Sequence, residues 1–245
     1  MKKLTIAAAT VLAVLGPTAA TAASRGFVDY FDWHDYNKWY RADGWANDYS
    51  RCGWNQANTT FAQGFMKQTV TNVPRAGKPY SCGLYQSRRK FGYGRYQTRL
   101  KAARGSGVVS GIFTYTAAPQ GGGRYDEIDF EFLGRDTTKL QTNYFVNGGE
   151  THEKLIALGF DAASSFHTYA YEWRPDSIEW FVDGRSVRKV TRAMGPLPSH
   201  PDKISALTWA TSLRDWAGPF RYREPIVAEY DYIRYTPLAQ LPGRP

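Results

Sequence analysis

A chain of 245 residues is long enough to bury a sizeable core and short enough to do so as one domain. Its 31 Lys and Arg against 22 Asp and Glu give a formal charge of +9, but the basic residues are dispersed and form no aromatic-basic motif, which argues against a nucleic-acid partner. No stretch reaches the roughly 20 apolar residues that a membrane-spanning helix needs.

In chain order, residues 1–23 read as a secretory leader: Lys2 and Lys3, then the apolar run IAAATVLAVLG, then small residues through Ala20, Ala22 and Ala23. Removing the two lysines leaves +7 on residues 24–245, expected to be one soluble, monomeric domain that is secreted or periplasmic. Both cysteines, Cys52 and Cys82, lie in this exported part. An oxidising compartment makes them a disulfide, stabilising by roughly 3–4 kcal/mol for a loop of this size. The four histidines, His34, His152, His167 and His200, are scattered, and HEKLI at His152 lacks the second histidine of a zinc motif. No cofactor is expected for catalysis.

Downstream the dominant period is two, broken at short intervals by turn residues, which predicts an all-β domain built as a two-sheet sandwich. Strands are expected at 93–102, 107–116, 125–133, 139–146, 168–173, 177–182, 203–209 and 226–235. Asp183-Gly184, between IEWFV and RSVRKV, predicts a two-residue hairpin turn, because both positions tolerate positive φ. Glycines 121–123 predict a flexible loop, and the proline-containing tail beyond about residue 237 is expected to be loose.

DEIDFEFLG, Asp126 to Gly134, concentrates charge of one sign. As a strand it places Glu127, Asp129 and Glu131 on one face and Ile128, Phe130 and Phe132 on the other. Three acids in line repel one another, and that repulsion has a use, since it raises the pKa of at least one group so that a proton is held near neutral pH. The first and last carry Cα atoms about 13 Å apart at roughly 3.3 Å per residue. Glutamate side chains leaning together can approach the roughly 5–5.5 Å of a double-displacement glycosidase. Spacing alone leaves two readings open: a solvated acidic face, or a catalytic one.

The string DEIDFEFLGRDTTKLQTNYFVNGG, followed by HEKLIALGFDAASSFHTYAYEW and IEWFVDG, resembles the bacterial lichenase branch of family-16 glycoside hydrolases, over nearly the whole mature chain from Phe27 to Pro237. The resemblance implies a β-jelly-roll sandwich with a concave, open cleft and endo-acting hydrolysis of β-1,3-1,4-linked glucan with retained anomeric configuration. It makes Glu127 the nucleophile, Glu131 the general acid and then base, and Asp129 the residue that tunes both. The strand itself does not say which glutamate does which job.

A pyranose has an apolar C–H face and a hydroxyl rim, so flat aromatics and hydrogen-bonding groups are expected around the acids. Trp45, Trp54, Tyr125, Trp209 and Trp216 are candidates for the platform, with Gln141, Asn143 and Phe145 alternating onto one strand face and Asn47 matching a substrate-contacting asparagine of lichenases. Trp39, Trp173 and Trp180 are assigned to the core. The resemblance also implies a structural calcium on Asp231 and the carbonyls of Tyr30 and Gly64, hard oxygen donors that suit this ion.

The departures bear on recognition. Lichenases usually carry Glu and Arg where this chain has Leu84 and Gln86, and Asn where it has Leu207; Phe145 stands for a cleft tyrosine and Tyr125 for a tryptophan. The stretch SCGLYQSRRKFGYG is also similar to exopolysaccharide glycanases of the same branch, whose polymers are often acidic. Three readings are carried forward: a glucanase, a glycanase of an acidic exopolysaccharide with the same chemistry, and a non-catalytic glycan-binding protein on the same sandwich.

Overall fold

The computed structural model describes residues 25–115 and 125–242; the expected leader at 1–23 and the glycines at 121–123 lie outside them. Sixteen strands are present among the described residues, with a single four-residue α-helix, Arg214–Ala217.

They form the two layers of a jelly-roll sandwich. The first layer runs β11 (Lys154–Ala157), β10 (Lys139–Phe145), β9 (Glu127–Leu133), β8 (Val108–Tyr115), β15 (Asp202–Ala210), β6 (Tyr80–Phe91), with β2 (Trp39–Arg41) also on β6. The second runs β5 (Phe65–Thr71), β16 (Val227–Pro237), β7 (Gly94–Lys101), β12 (His167–Trp173), β13 (Ser177–Val182), β14 (Arg185–Thr191), flanked by β4 (Thr59–Ala62) on β5 and β1 (Phe27–Asp29) on β16. A short pairing of β5 with β6, Val70 opposite Cys82 and Thr71 opposite Ser81, joins the layers. Named strands pair antiparallel except β3 (Cys52–Trp54), which runs parallel to β6 and aligns Trp54 with Cys82. The Cys52–Cys82 disulfide lies across this pairing, Cα to Cα 5.7 Å, in a fully buried setting.

Alternation builds the core. The apolar face of β9 carries Phe130 and Phe132, whose rings meet Tyr169 of β12 at 5.8 and 4.8 Å. Behind them Tyr171 stacks on Tyr96 of β7 at 4.8 Å. Burying each such side chain contributes about 1.5–3 kcal/mol. Trp39, Trp173 and Trp180 are fully buried, as expected. Their indole N–H groups are satisfied: Trp173 donates to the Pro198 carbonyl and Trp180 to that of Asp129, each at 3.0 Å.

Asp183 (φ 46°) and Gly184 (φ 80°) make the expected hairpin turn between β13 and β14. The same device, Gln63 (φ 58°) and Gly64 (φ 75°), joins β4 to β5. Of the tail expected to be loose, residues 243–245 lie outside the described residues. β16 runs on to Pro237, and residues Leu238–Gln240 form a 3-10 turn anchored by the Leu238 N–H on the Tyr93 carbonyl at 3.1 Å. Proline supplies no donor, but the residue after it does, and that bond ties the 3-10 turn to the sandwich.

Candidate active site

The register of the first layer sets one row of side chains after another across the sheet. β9 lies between β8 and β10, with Glu127 opposite Tyr115 and Phe145, Asp129 opposite Phe113 and Asn143, and Glu131 opposite Gly111 and Gln141. All three acids face away from the sandwich interior into a groove whose two adjoining parts hold about 610 and 780 Å³. Asn47, Tyr115, Glu127, Glu131 and Trp209 are common to both parts, so the two glutamates stand at the middle of the groove.

Gly111 has no side chain for a physical reason. A Cβ there would sit 2.3 Å from the Phe130 carbonyl and 3.0 Å from the Glu131 Cα. Larger residues would push β8 off the strand that carries the acids.

Burial is the leading cause that raises the carboxyl pKa of Glu127, with the charges of Asp129, Glu131 and Asp202 adding to it. Burial also raises Glu131, followed by the charges of Asp129 and Glu153. Asp129, 2% exposed, is pushed up to about 7 by burial, against the opposing pull of the Arg188 guanidinium and the Asn143 backbone N–H. One of its oxygens, Oδ1, has no hydrogen-bond partner. A buried orphan carboxylate oxygen is costly, and a proton shared with a neighbouring carboxyl removes that cost. The three groups therefore hold fewer charges than three near neutral pH. A coupled set in which one member gives up its proton while another keeps it is what acid–base chemistry at one bond requires.

Arg188 is the compensating charge that strand spacing gave no sign of. It reaches from β14 of the second layer, stacks its guanidinium 4.8 Å from the Trp180 ring, and donates to the Thr142 carbonyl and hydroxyl at 2.9 Å and the His152 carbonyl at 2.6 Å. It thus ties the back of β10 to the loop before β11, beneath Asp129.

The predicted aromatic platform is present in part. Trp45, Trp209 and Trp216 line the groove, Tyr125 and Phe145 close it on the far side of Glu127, and Asn47 is exposed on its rim. Trp54 also lines it but is 2% exposed; its ring packs against Trp45 at 5.7 Å and Trp209 at 6.5 Å, so it backs the other two rather than offering a face of its own. Gln141 is fully engaged: its Nε2 donates to Glu153 and its Oε1 accepts from the Trp216 indole at 2.9 Å. The Asn143 side-chain carbonyl accepts from the Tyr144 and His152 N–H groups and the Thr151 hydroxyl, and so holds the loop before β11. These two polar residues position the walls. Leu84 and Leu207 face each other directly across β6 and β15 on the groove floor.

Sequence reasoning did not find Glu153, Tyr115 or Arg188. Tyr115 had a legible signal, since it ends the period-two run just before the acidic strand. Glu153 sits in an irregular loop, and no local pattern marks it.

At the proposed calcium position the β16 register slips between Tyr230 and Tyr232, where its pairing with β5 gives out. Tyr30 follows β1 on one flank, its ring 6.0 Å from that of Tyr232, and Gly64 ends the β4–β5 turn on the other. The donors suit calcium in kind, but the Asp231 carboxylate already takes Arg99 at 2.5 Å. Among the described residues no group of three His, Cys, Asp or Glu could hold a metal ion, so any calcium would rely on main-chain carbonyls.

The family model described as Glycosyl hydrolases family 16 matches residues 46–232. A beta-glucanase of Bacillus subtilis (strain 168) is 40% identical over 230 residues, covering 92% of this chain and 93% of that protein. A beta-glucanase of Paenibacillus polymyxa is 43% identical over 217 residues, 87% of this chain and 89% of that one. Among solved structures, a prokaryotic beta-1,3-1,4-glucanase (lichenase) derived from a mouse hindgut metagenome superposes with a TM-score of 0.82 at 40% identity, covering 88% of this chain and all of that one.

Proposed function

The chain belongs to glycosyl hydrolase family 16, and from that premise we propose that it is an exported, monomeric endo-β-glucanase that cleaves β-1,3-1,4-linked glucan with retention of configuration. The observation that carries the reading is the row of Glu127, Asp129 and Glu131 on one face of β9, at the middle of an aromatic-walled groove long enough to take several sugars. Glu127 attacks the anomeric carbon while Glu131, as the acid, protonates the departing glycosidic oxygen; Glu131 then takes a proton from the water that releases the sugar from Glu127. Asp129 shares a proton with its neighbours and keeps their ionisation out of step. A glycan-binding protein would gain nothing from three costly carboxylates held this way.

Residues 1–23 are read as the leader that directs export. Calcium on Asp231 and the carbonyls of Tyr30 and Gly64 is read as structural, with Arg99 sharing the carboxylate; a melting temperature unchanged between calcium and chelator would remove it.

The test is a reducing-sugar assay on lichenan, laminarin, carboxymethylcellulose and an acidic bacterial exopolysaccharide, with viscosity followed in parallel. Mixed-linkage glucan should lose viscosity faster than it gains reducing ends, as internal cleavage demands. Absence of new ends from every polymer would overturn the reading.

A further inference from the structure

The two parts of the groove differ in charge. The part bounded by Trp216 adds Asp129, Glu153 and Asp215 to the shared glutamates and no Lys or Arg. The part bounded by Leu84 and Leu207 adds Lys90 and Lys203 and no further acid. These lysines are direct cross-strand partners, Lys203 of β15 opposite Lys90 of β6, with Tyr115 opposite Lys203 on the next strand and Glu127 opposite Tyr115 beyond it. At about 4.8 Å between strands, the two ammonium-bearing strands lie roughly 10 and 14 Å from that of Glu127, along the groove.

Like charges directly opposed in a sheet are destabilising. Elsewhere in this sandwich most strand lysines have carboxylate partners: Lys67 and Lys101 converge on Glu229, Lys139 meets Asp136 and Lys189 meets Glu179, while Lys154 of the edge strand β11 has none among the described residues. Neither Lys90 nor Lys203 has a carboxylate within ion-pair distance among the described residues, and residues 1–24, 116–124 and 243–245 contain no Asp or Glu. Asp202, the neighbour of Lys203 in the chain, is 1% exposed, and burial pushes its carboxyl up to about 8 in spite of Lys90, so it is largely uncharged near neutral pH. The floor beside the pair is largely Leu84, Leu207 and Phe113, which offer nothing to a sugar hydroxyl, with the Gln86 amide, whose Nε2 donates to the Ser205 hydroxyl, as its neutral polar group.

We infer that Lys90 and Lys203 form an anion-binding subsite of the groove, which takes an acidic substituent, a carboxylate or a sulfate ester, carried by the glycan chain. This rests on the reading of the groove as the place where the polymer is cut. It makes the preferred substrate an anionic β-glycan rather than an unsubstituted one. Two mobile ammonium groups offer point charges rather than a fixed fork, so the subsite selects for charge more than for the shape of the acid.

The experiment compares three polymers: mixed-linkage β-glucan, the same glucan with a fraction of its units oxidised to carboxylates at C6, and the same glucan lightly sulfated. The ratio of kcat/KM on each anionic polymer to that on the neutral one is measured for the parent protein and for Lys90→Gln combined with Lys203→Gln. The parent should favour at least one anionic polymer by about five- to tenfold at 0.01 M salt, and the preference should shrink at 0.5 M, where charges are screened within a few ångström. Which polymer gains identifies the acid. The double variant should bring the ratio close to one, whereas Lys90→Arg with Lys203→Arg should retain it. The same ratio is read as binding, by retardation in gels carrying each polymer. A parent ratio of one, or a ratio untouched in the double variant, overturns the subsite. Loss of cleavage on all three polymers overturns the catalytic reading instead, and the binding ratio still decides the lysines.

Discussion

Two strand surfaces in this molecule set acids side by side, and they treat them in opposite ways. On the second layer Glu172 of β12 stands directly opposite Glu179 of β13, and cations answer both: Arg174 meets Glu172 at 2.6 Å, Arg95 lies 3.7 Å from its other oxygen, and Lys189 lies 3.7 Å from Glu179. Glu172 and Glu179 line a pocket of about 260 Å³ together with Arg174, Lys189 and Asp176, so that each of the two facing acids has a cation beside it. On β9, Glu127, Asp129 and Glu131 have no cation in ion-pair contact among the described residues; Arg188 acts on Asp129 through the sheet. Carboxylates held by cations in this way are structural. Carboxylates left to repel one another in a groove hold a proton, and a held proton is what glycoside cleavage uses.

The sharpest way to break the contrast is to remove the acid at the centre of the groove. Glu127→Ala should lower kcat by several orders of magnitude while leaving the fold intact, and azide should restore turnover by forming an α-glycosyl azide in the space vacated. The anomeric signal of that product, followed by NMR, reports which face of the sugar is attacked.

Next in size is the cation beneath β9. Arg188→Met removes donors to Thr142 and His152 and the charge that opposes burial at Asp129. Chemical denaturation should show a loss of about 2–4 kcal/mol. The Asp129 carboxyl should titrate higher than in the parent.

Asp129→Asn probes the coupling itself. The charge of Asp129 raises Glu131, so removing it should move the alkaline limb of kcat to lower pH. The same change has a stability signature. A carboxyl whose folded pKa, about 7, exceeds its unfolded value of 3.8 stabilises the fold at low pH and loses that contribution as pH rises through 7. The parent should therefore weaken relative to the Asn variant as pH rises from about 4 through 7, by on the order of a few kcal/mol, and change little further above that.

The smallest effect belongs to the neutralised surface. Glu179→Gln leaves an exposed lysine and relieves a like-charge neighbour, so stability should change by less than about 1 kcal/mol and kcat/KM should not move.

Much of this was legible before any coordinates. Period-two runs placed β13 to the residue and β7, β8, β9, β10, β12, β15 and β16 within a residue or two, because alternation reports directly which side chains face the core. The acidic face of β9 followed from the same count. The longest strand, β6, was not predicted, since SCGLYQSRRKF mixes small, apolar and basic residues as its surroundings change from the interlayer junction at Cys82 to the open groove at Lys90. Arg188 and Glu153 were invisible for a different reason. Each gains its role from a partner 30 or more residues away or from a loop of irregular course, and local spacing carries no record of either. The lysine pair was hidden likewise, its members being 113 positions apart until the register of β6 and β15 sets them opposite one another.

The measurement that bears most directly on the central claim, that the unneutralised acids of β9 carry out a double displacement, is to trap the intermediate. The protein would be incubated with a 2-deoxy-2-fluoro glucan-oligosaccharide bearing a good leaving group, digested, and its peptides sequenced by mass spectrometry. One sugar esterified to Glu127 is the predicted result. A label on Glu131, or steady hydrolysis with inverted product and no labelled peptide, would contradict it.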